Sequence, residues 1–192
     1  MTSRRVDLDL GEATRWNSGV ASVLDDAHRD LVEEVWTDLE VAGVKAARTT
    51  VTPHFAYQVG DYDVDALFPA LERVAAATPP FTVRTAGPGV FGGTQPVLHV
   101  AIVRTEALSE FHRVLWGAIG NACRNAADFY WLDDWVPHVT LAAEGIAPST
   151  LARAVETLSA RSMRWTISIN NLAYFEATYG GHELVRTFPL AG

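Results

Sequence analysis

The chemistry open to this sequence rests on two histidines in matching segments, Thr52-Pro53-His54-Phe55-Ala56-Tyr57-Gln58 and Val136-Pro137-His138-Val139-Thr140-Leu141-Ala142. Each segment reads as a strand, and alternation along an extended backbone turns the histidine and the residue two places on to one face. The apolar residues between them, Phe55 and Tyr57 in one segment and Val139 and Leu141 in the other, turn to the opposite, buried face. An imidazole has an unperturbed pKa of about 6.5, so two of them facing one cleft suit paired acid and base work. In an in-line displacement at phosphorus, one takes the proton of the attacking oxygen and the other protonates the departing oxygen. Thr140 shares a strand face with His138, which lets its hydroxyl donate to a non-bridging phosphate oxygen.

The elements that must position these residues occur twice. When the chain is compared with itself at an offset of 84 residues, Pro53 falls on Pro137, His54 on His138, Leu67 on Leu151, Leu71 on Val155 and Val74 on Leu158. Phe81-Thr82-Val83 falls on Trp165-Thr166-Ile167 and Phe91 on Phe175, without a gap. Helix-spaced and strand-spaced apolar positions in phase imply two copies of one unit, with one histidine from each. The patterning predicts a helix over 18–41 capped by Ser18, the first histidine strand, a helix around Leu67 to Ala75, and a strand from Phe81 to Ala86. A bend at Gly87-Pro88-Gly89, a strand from Pro96 to Arg104 and a long helix from Glu106 to Ala127 follow. The second histidine strand, a helix over 148–161 and two strands joined around Tyr179-Gly180-Gly181 complete the order.

The expected fold class is therefore α+β, a duplicated two-lobe fold. Each lobe is a small, largely antiparallel sheet with helices on its outer face, and a pseudo-twofold cleft lies between them. Residues 1–45 read as an N-terminal arm and helix, and 46–190 as a single bilobal domain. The chain of 192 residues is long enough to bury a substantial core.

Fifteen Lys and Arg stand against 23 Asp and Glu, a net charge of −8, which argues against a non-specific nucleic-acid coat. The one cysteine, Cys123, cannot form an internal disulfide, fits a reducing compartment and reads as a small buried hydrophobe in a helix. The N-terminal segment lacks the apolar core of a signal peptide, and no apolar run reaches membrane-spanning length. A cytoplasmic protein without membrane contact is expected, acting as a monomer. No His-x-His, Glu-x-x-His or Cys-x-x-Cys spacing accompanies the histidine pair, so neither a metal nor another cofactor is expected.

The paired motifs His54-Phe55-Ala56 and His138-Val139-Thr140 resemble the 2H phosphoesterase superfamily, the group of 2'-5' RNA ligase-like proteins and cyclic phosphodiesterases. The family pattern is a pair of His-x-Thr/Ser motifs, one per lobe of a duplicated α+β fold. The resemblance covers about residues 46–190 and extends to the Phe81-Thr82-Val83 strand, the Gly87 to Phe91 bend and the Val97 to Ile102 strand. It implies a metal-independent phosphodiesterase acting on a 2',3'-cyclic phosphate, or a related phosphodiester, of RNA ends or nucleotides. His54 and His138 are then the catalytic pair and Thr140 a phosphate ligand. Ala56 departs from the pattern by lacking the hydroxyl, and Gln58, projecting from the same strand face, is the candidate substitute.

Other candidates for the substrate follow from strand parity and position. His99 either stacks on a nucleobase, where the family places an aromatic residue, or packs in the interior. Arg84 holds phosphate if Thr82, Arg84 and Ala86 face the cleft, and is otherwise a solvated charge. Tyr62, Trp131 and Trp135 lie in loops beside the histidine strands, where they either stack on bases or pack at the rim. His182, at the last hairpin turn, is assigned no chemistry. The alternative reading of the whole is a catalytically weak nucleotide or RNA-end binding domain that kept the cleft after losing the hydroxyl at position 56.

Overall fold

Asp25, Asp63 and Thr105 each precede an amphipathic stretch and accept a hydrogen bond from the first turn, from His28 N at 3.0 Å, Asp65 N at 3.2 Å and Leu108 N at 3.2 Å. They start helices α1 (Asp26–Val41), α2 (Val64–Ala77) and α3 (Glu106–Ile119), and Pro148 opens α4 (Pro148–Ser159) with its fixed φ. The computed structural model describes residues 18–48, 52–143, 145–178 and 181–191. Their strands are β1 (Ser18–Val23), β2 (His54–Tyr62), β3 (Phe81–Phe91), β4 (Val97–Ile102) and the two-residue β5 (Cys123–Arg124). Strands β6 (His138–Ala142), β7 (Thr166–Ile169), β8 (Asn171–Thr178) and β9 (Gly181–Pro189) follow.

Two antiparallel sheets result, one ordered β5-β2-β1-β8-β9 and the other β6-β4-β3-β7. The two halves of the chain are interleaved between them. The first histidine strand, β2, shares a sheet with the C-terminal hairpin β8-β9, whereas the second, β6, shares one with the hairpin β3-β4 from the first half. The chain crosses between sheets at Asn170, between β7 and β8. The Asn171 side chain fixes that crossing to the end of β1, accepting from Val23 N at 2.9 Å and donating to Val23 O at 3.0 Å.

Several elements differ from the sequence reading. Residues 18–23 form β1, the strand between β2 and β8, in place of the first turns of a helix. All six are buried, their small and β-branched side chains suit a pleated surface, and Asp25 rather than Ser18 is the helix cap. The β1-α1-β2 order precedes α2 as β4-α3-β6 precedes α4, so the repeated unit begins before the histidine strand. Unequal loops before β2 and β6 hide this from a fixed offset. Strand β3 runs unbroken through Gly87-Pro88-Gly89, absorbing the glycines in a bulge at Thr85/Gly87. Pro88 is tolerated because β7 pairs β3 only at residues 81–84. Helix α3 stops at Ile119, which leaves Cys123 half-buried in β5 opposite Tyr62. The expected arm over 1–17 and the turn residues Tyr179 and Gly180 lie outside the described residues.

The core forms where the helices pack on the sheets, joining Val32, Val35 and Leu39 of α1 to Leu67 and Leu71 of α2 and Leu115 and Ile119 of α3. A polar seam runs through it at β2. A register shift against β1 makes Tyr57 the extra residue of a bulge, and its carbonyl accepts from His112 Nε2 at 2.8 Å and Trp116 Nε1 at 3.0 Å, both on α3. The neighbouring carbonyl of Ala56 accepts from Trp135 Nε1 at 3.0 Å. His112 is fully buried, stacked on Trp135 with ring centroids 3.8 Å apart, and its Nδ1 has no partner.

Burial pushes the pKa of His112 down to about 4. The fold thus favours its neutral form, and this stabilisation is complete above about pH 6.5 and lost as the pH falls toward 4. Its ceiling is about 3 to 4 kcal/mol at roughly 1.4 kcal/mol per unit. Urea denaturation between pH 7 and 4.5 should show a shallower loss of stability in His112→Gln, which keeps an N–H but cannot take up the proton.

Candidate active site

His54 opens β2 and His138 opens β6, each two residues after a backbone carbonyl that its own Nδ1 reaches. His54 Nδ1 lies 3.0 Å from Thr52 O and His138 Nδ1 lies 2.7 Å from Val136 O. A carbonyl can only accept, so the proton of each neutral ring sits on Nδ1 and Nε2 carries the free lone pair. His99 of β4 repeats the pattern more loosely, with Nδ1 3.4 Å from Val97 O. Among the described residues no carboxylate pairs with any of the three, and no three His, Cys, Asp or Glu side chains are placed to share a metal ion.

Each motif histidine lies against a phenylalanine from the opposite half of the chain. The His54 ring stacks on Phe175 of β8, centroids 4.3 Å apart and planes at 27°, and His138 meets Phe91 of β3 edge-on at 4.9 Å. Phe91 and Phe175 are partners in the internal repeat, so the contacts are related by the pseudosymmetry and exchanged between halves. Phe91 also stacks on His99 at 4.1 Å, and His99 in turn meets His138 at 5.3 Å.

Burial is the main influence on these rings and disfavours their charged forms. It takes His54 and His99 down to about 4 and moves His138 in the same direction. His138 and His182 add to the effect on His54, and His138 adds to that on His99, because a positive charge on one ring opposes protonation of another. His138, 84 residues away in sequence, is thus among the charges that oppose protonation of His54.

Register places Thr140 opposite His99 on the face that carries His138, half-buried, its hydroxyl without a partner among the described residues. Ala56 holds the equivalent place beside His54, packed with the apolar side chains of Ala21, Val23, Ala173, Phe175 and Leu184. Gln58 does not face the cleft as expected. The bulge at Tyr57 breaks the alternation, so Gln58 pairs with Val20, is fully buried and accepts from Tyr62 Oη at 3.0 Å. Tyr62 lies eight residues along β2 from His54, about 26 Å at roughly 3.3 Å per residue, and packs edge-on against Tyr174. It does not join the histidines.

Trp135 is 1% exposed, with His112 on one side and the Arg104 guanidinium 5.8 Å from the ring centroid, which leaves no face for a base. Arg104 also donates to the Leu132, Asp133 and Trp135 carbonyls, so it braces the loop leading to His138. His99 is 4% exposed and already stacked on Phe91, so it belongs to the floor of the site rather than to a stacking surface. Arg84 is exposed on β3 opposite Thr166, turned away from the core face of Val83. Trp131 is half-exposed and leans on Trp116. Sequence reasoning missed Phe91 and Phe175 as histidine supports, although their match in the repeat was the signal, and it assigned no chemistry to His182, whose charge opposes protonation of His54.

The chain thus sets one histidine strand in each of two antiparallel sheets, with its two halves interleaved between them. The sequence matches the 2'-5' RNA ligase superfamily over residues 24–178, and the chain belongs to that family, the 2H phosphoesterases. The crystal structure of TT0787 of Thermus thermophilus superposes with a TM-score of 0.64 at 19% identity, covering 92% of this chain and 98% of that one. Escherichia coli LigT complexed with 3'-AMP gives a TM-score of 0.59 at 12% identity, covering 92% and 98%. A crystal structure described as a phosphoesterase gives 0.56 at 12%, covering 92% and 99%. These likenesses are of fold. No protein with a curated description matches the sequence.

Gly89 of β3 lies directly under His99, where a Cβ would sit 2.5 Å from Nε2. Gly89→Ala should therefore displace the His99 ring and, through it, His138. Imidazole resonances of both should shift in a two-dimensional spectrum while that of His54, in the other sheet, stays in place.

Proposed function

We propose that the cleft cleaves a 2',3'-cyclic phosphate, or a related phosphodiester of an RNA end or nucleotide, by two-histidine acid and base chemistry without a metal ion. What supports this reading is that His54 and His138, from opposite halves, each have Nδ1 committed to a backbone carbonyl and a phenylalanine of the other half against the ring, with His138 adding to the forces that oppose protonation of His54. Both Nε2 atoms are thereby left for the substrate. In hydrolysis one Nε2 accepts a proton from water as the oxygen bonds to phosphorus. The P–O bond to the ribose oxygen breaks, and Nε2–H of the other ring protonates that oxygen. The Thr140 hydroxyl donates to a non-bridging oxygen on the His138 side. LigT has been crystallised with 3'-AMP, phosphate, NADP+ and ATP, ligands that share a phosphate group.

The apolar floor around Ala56 favours a second reading, a domain that binds nucleotide or RNA ends with little turnover. The two readings separate on one assay with 2',3'-cyclic nucleotides and short RNAs ending in a cyclic phosphate. Catalysis predicts a loss of roughly 10² to 10⁴-fold from either His54→Ala or His138→Ala, with turnover unaffected by a chelator. Binding without turnover, indifferent to both substitutions, identifies the binder.

The direction of the pKa shifts sets the pH dependence. The productive form carries one proton on the pair, and burial holds both rings below their ordinary range, so that form is depleted as the pH rises past those lowered values and is already scarce at about 6.5. A pH–rate profile should place the kcat/KM optimum below about 6.5, with a falling limb toward pH 8.

A further inference from the structure

The His138 side of the site offers Thr140 to a phosphate, whereas the side chains packed around Ala56 beside His54 are the apolar Ala21, Val23, Ala173, Phe175 and Leu184. An anion held between the histidines needs a donor on that side as well, since an unpaired phosphate oxygen against an apolar floor is costly. Strand β9 brings one. Antiparallel pairing sets Phe175 opposite Leu184 and Ala177 opposite His182, so Leu184 and His182, two residues apart, share the floor face. The Phe175 ring that supports His54 is thus flanked by His182 on the adjacent strand. His182 is half-buried, and neither ring nitrogen has a hydrogen-bond partner among the described residues. It also stands close enough to His54 to oppose that ring's protonation.

We propose that His182 is the phosphate-binding donor on the His54 side of the cleft, taking over the contact that the hydroxyl missing at Ala56 would make. The inference rests on the phosphoester reading of the cleft and adds to it a third residue, drawn from the C-terminal hairpin. A neutral imidazole brings one N–H. An arriving phosphate also favours the imidazolium, which brings a second N–H and a positive charge. Burial lowers the pKa of His182 in the empty cleft, so phosphate binding near neutral pH should be accompanied by proton uptake at this ring.

The test is a titration of the full chain with inorganic phosphate, followed through the histidine ring resonances. Those of His54, His138 and His182 should move with one apparent Kd, and the pKa of His182 should rise in the bound state. His182→Ala should weaken phosphate binding about fivefold to tenfold, His182→Gln should retain part of it through its amide N–H, and adding Ala56→Thr to His182→Ala should restore it. Shifts at His54 and His138 with His182 unmoved, or equally tight binding by His182→Ala, would overturn the assignment and leave the phosphoester reading standing. No shift at any of the three would remove both.

Discussion

A backbone carbonyl buried at the seam between two sheets must find a donor, and in this protein that requirement ties the two histidine strands together. The carbonyls of Ala56 and Tyr57 accept from Trp135, His112 and Trp116, three ring N–H groups supplied by α3 and the loop before β6. Leaving one such acceptor unpaired costs on the order of 1–3 kcal/mol, so separation of the lobes is opposed at the residues that follow His54. Trp135 stands three residues before His138. The segment that leads into one motif is therefore hydrogen-bonded to the backbone of the other, and Arg104 holds that segment by its carbonyls.

The site between the strands is electrostatically spare. Its imidazoles are oriented by carbonyls two residues back and by phenylalanine faces, with no carboxylate among the described residues paired to them. Burial disfavours the charged form of all three rings, and neighbouring histidines add to this at His54 and His99. An anionic substrate removes much of that penalty, because its own charge compensates the proton one ring must carry. On the proposed two-histidine chemistry, the working protonation state is thus favoured by the ligand's arrival rather than maintained in advance.

Much of this was legible in the residues. The two His motifs, the repeat at fixed offset and the α+β class follow from spacing and apolar phase, which depend on local geometry. What failed depended on departures from ideal alternation. Parity along β2 placed Gln58 beside His54, but a single-residue bulge at Tyr57 reverses the face from that point, and nothing in Ala56-Tyr57-Gln58 announces it. Ser18-Gly19-Val20-Ala21-Ser22-Val23 has apolar residues three and four apart that also fit a helix, and only pairing with β2 and β8 decides for a strand. Trp135 was visible as an aromatic near a motif. Its use as an anchor depends on α3 packing against it, a long-range contact that composition does not encode.

The interleaving of the halves has a consequence for how such a molecule can arise. Because Phe175 supports His54 while Phe91 supports His138, neither half contains both a histidine and its aromatic support. A single ancestral unit could have assembled this cleft only as a homodimer whose subunits traded hairpins. Fusion of two genes would then have turned an intermolecular exchange into an intramolecular one and freed each copy to diverge, as Ala56 and Thr140 have done.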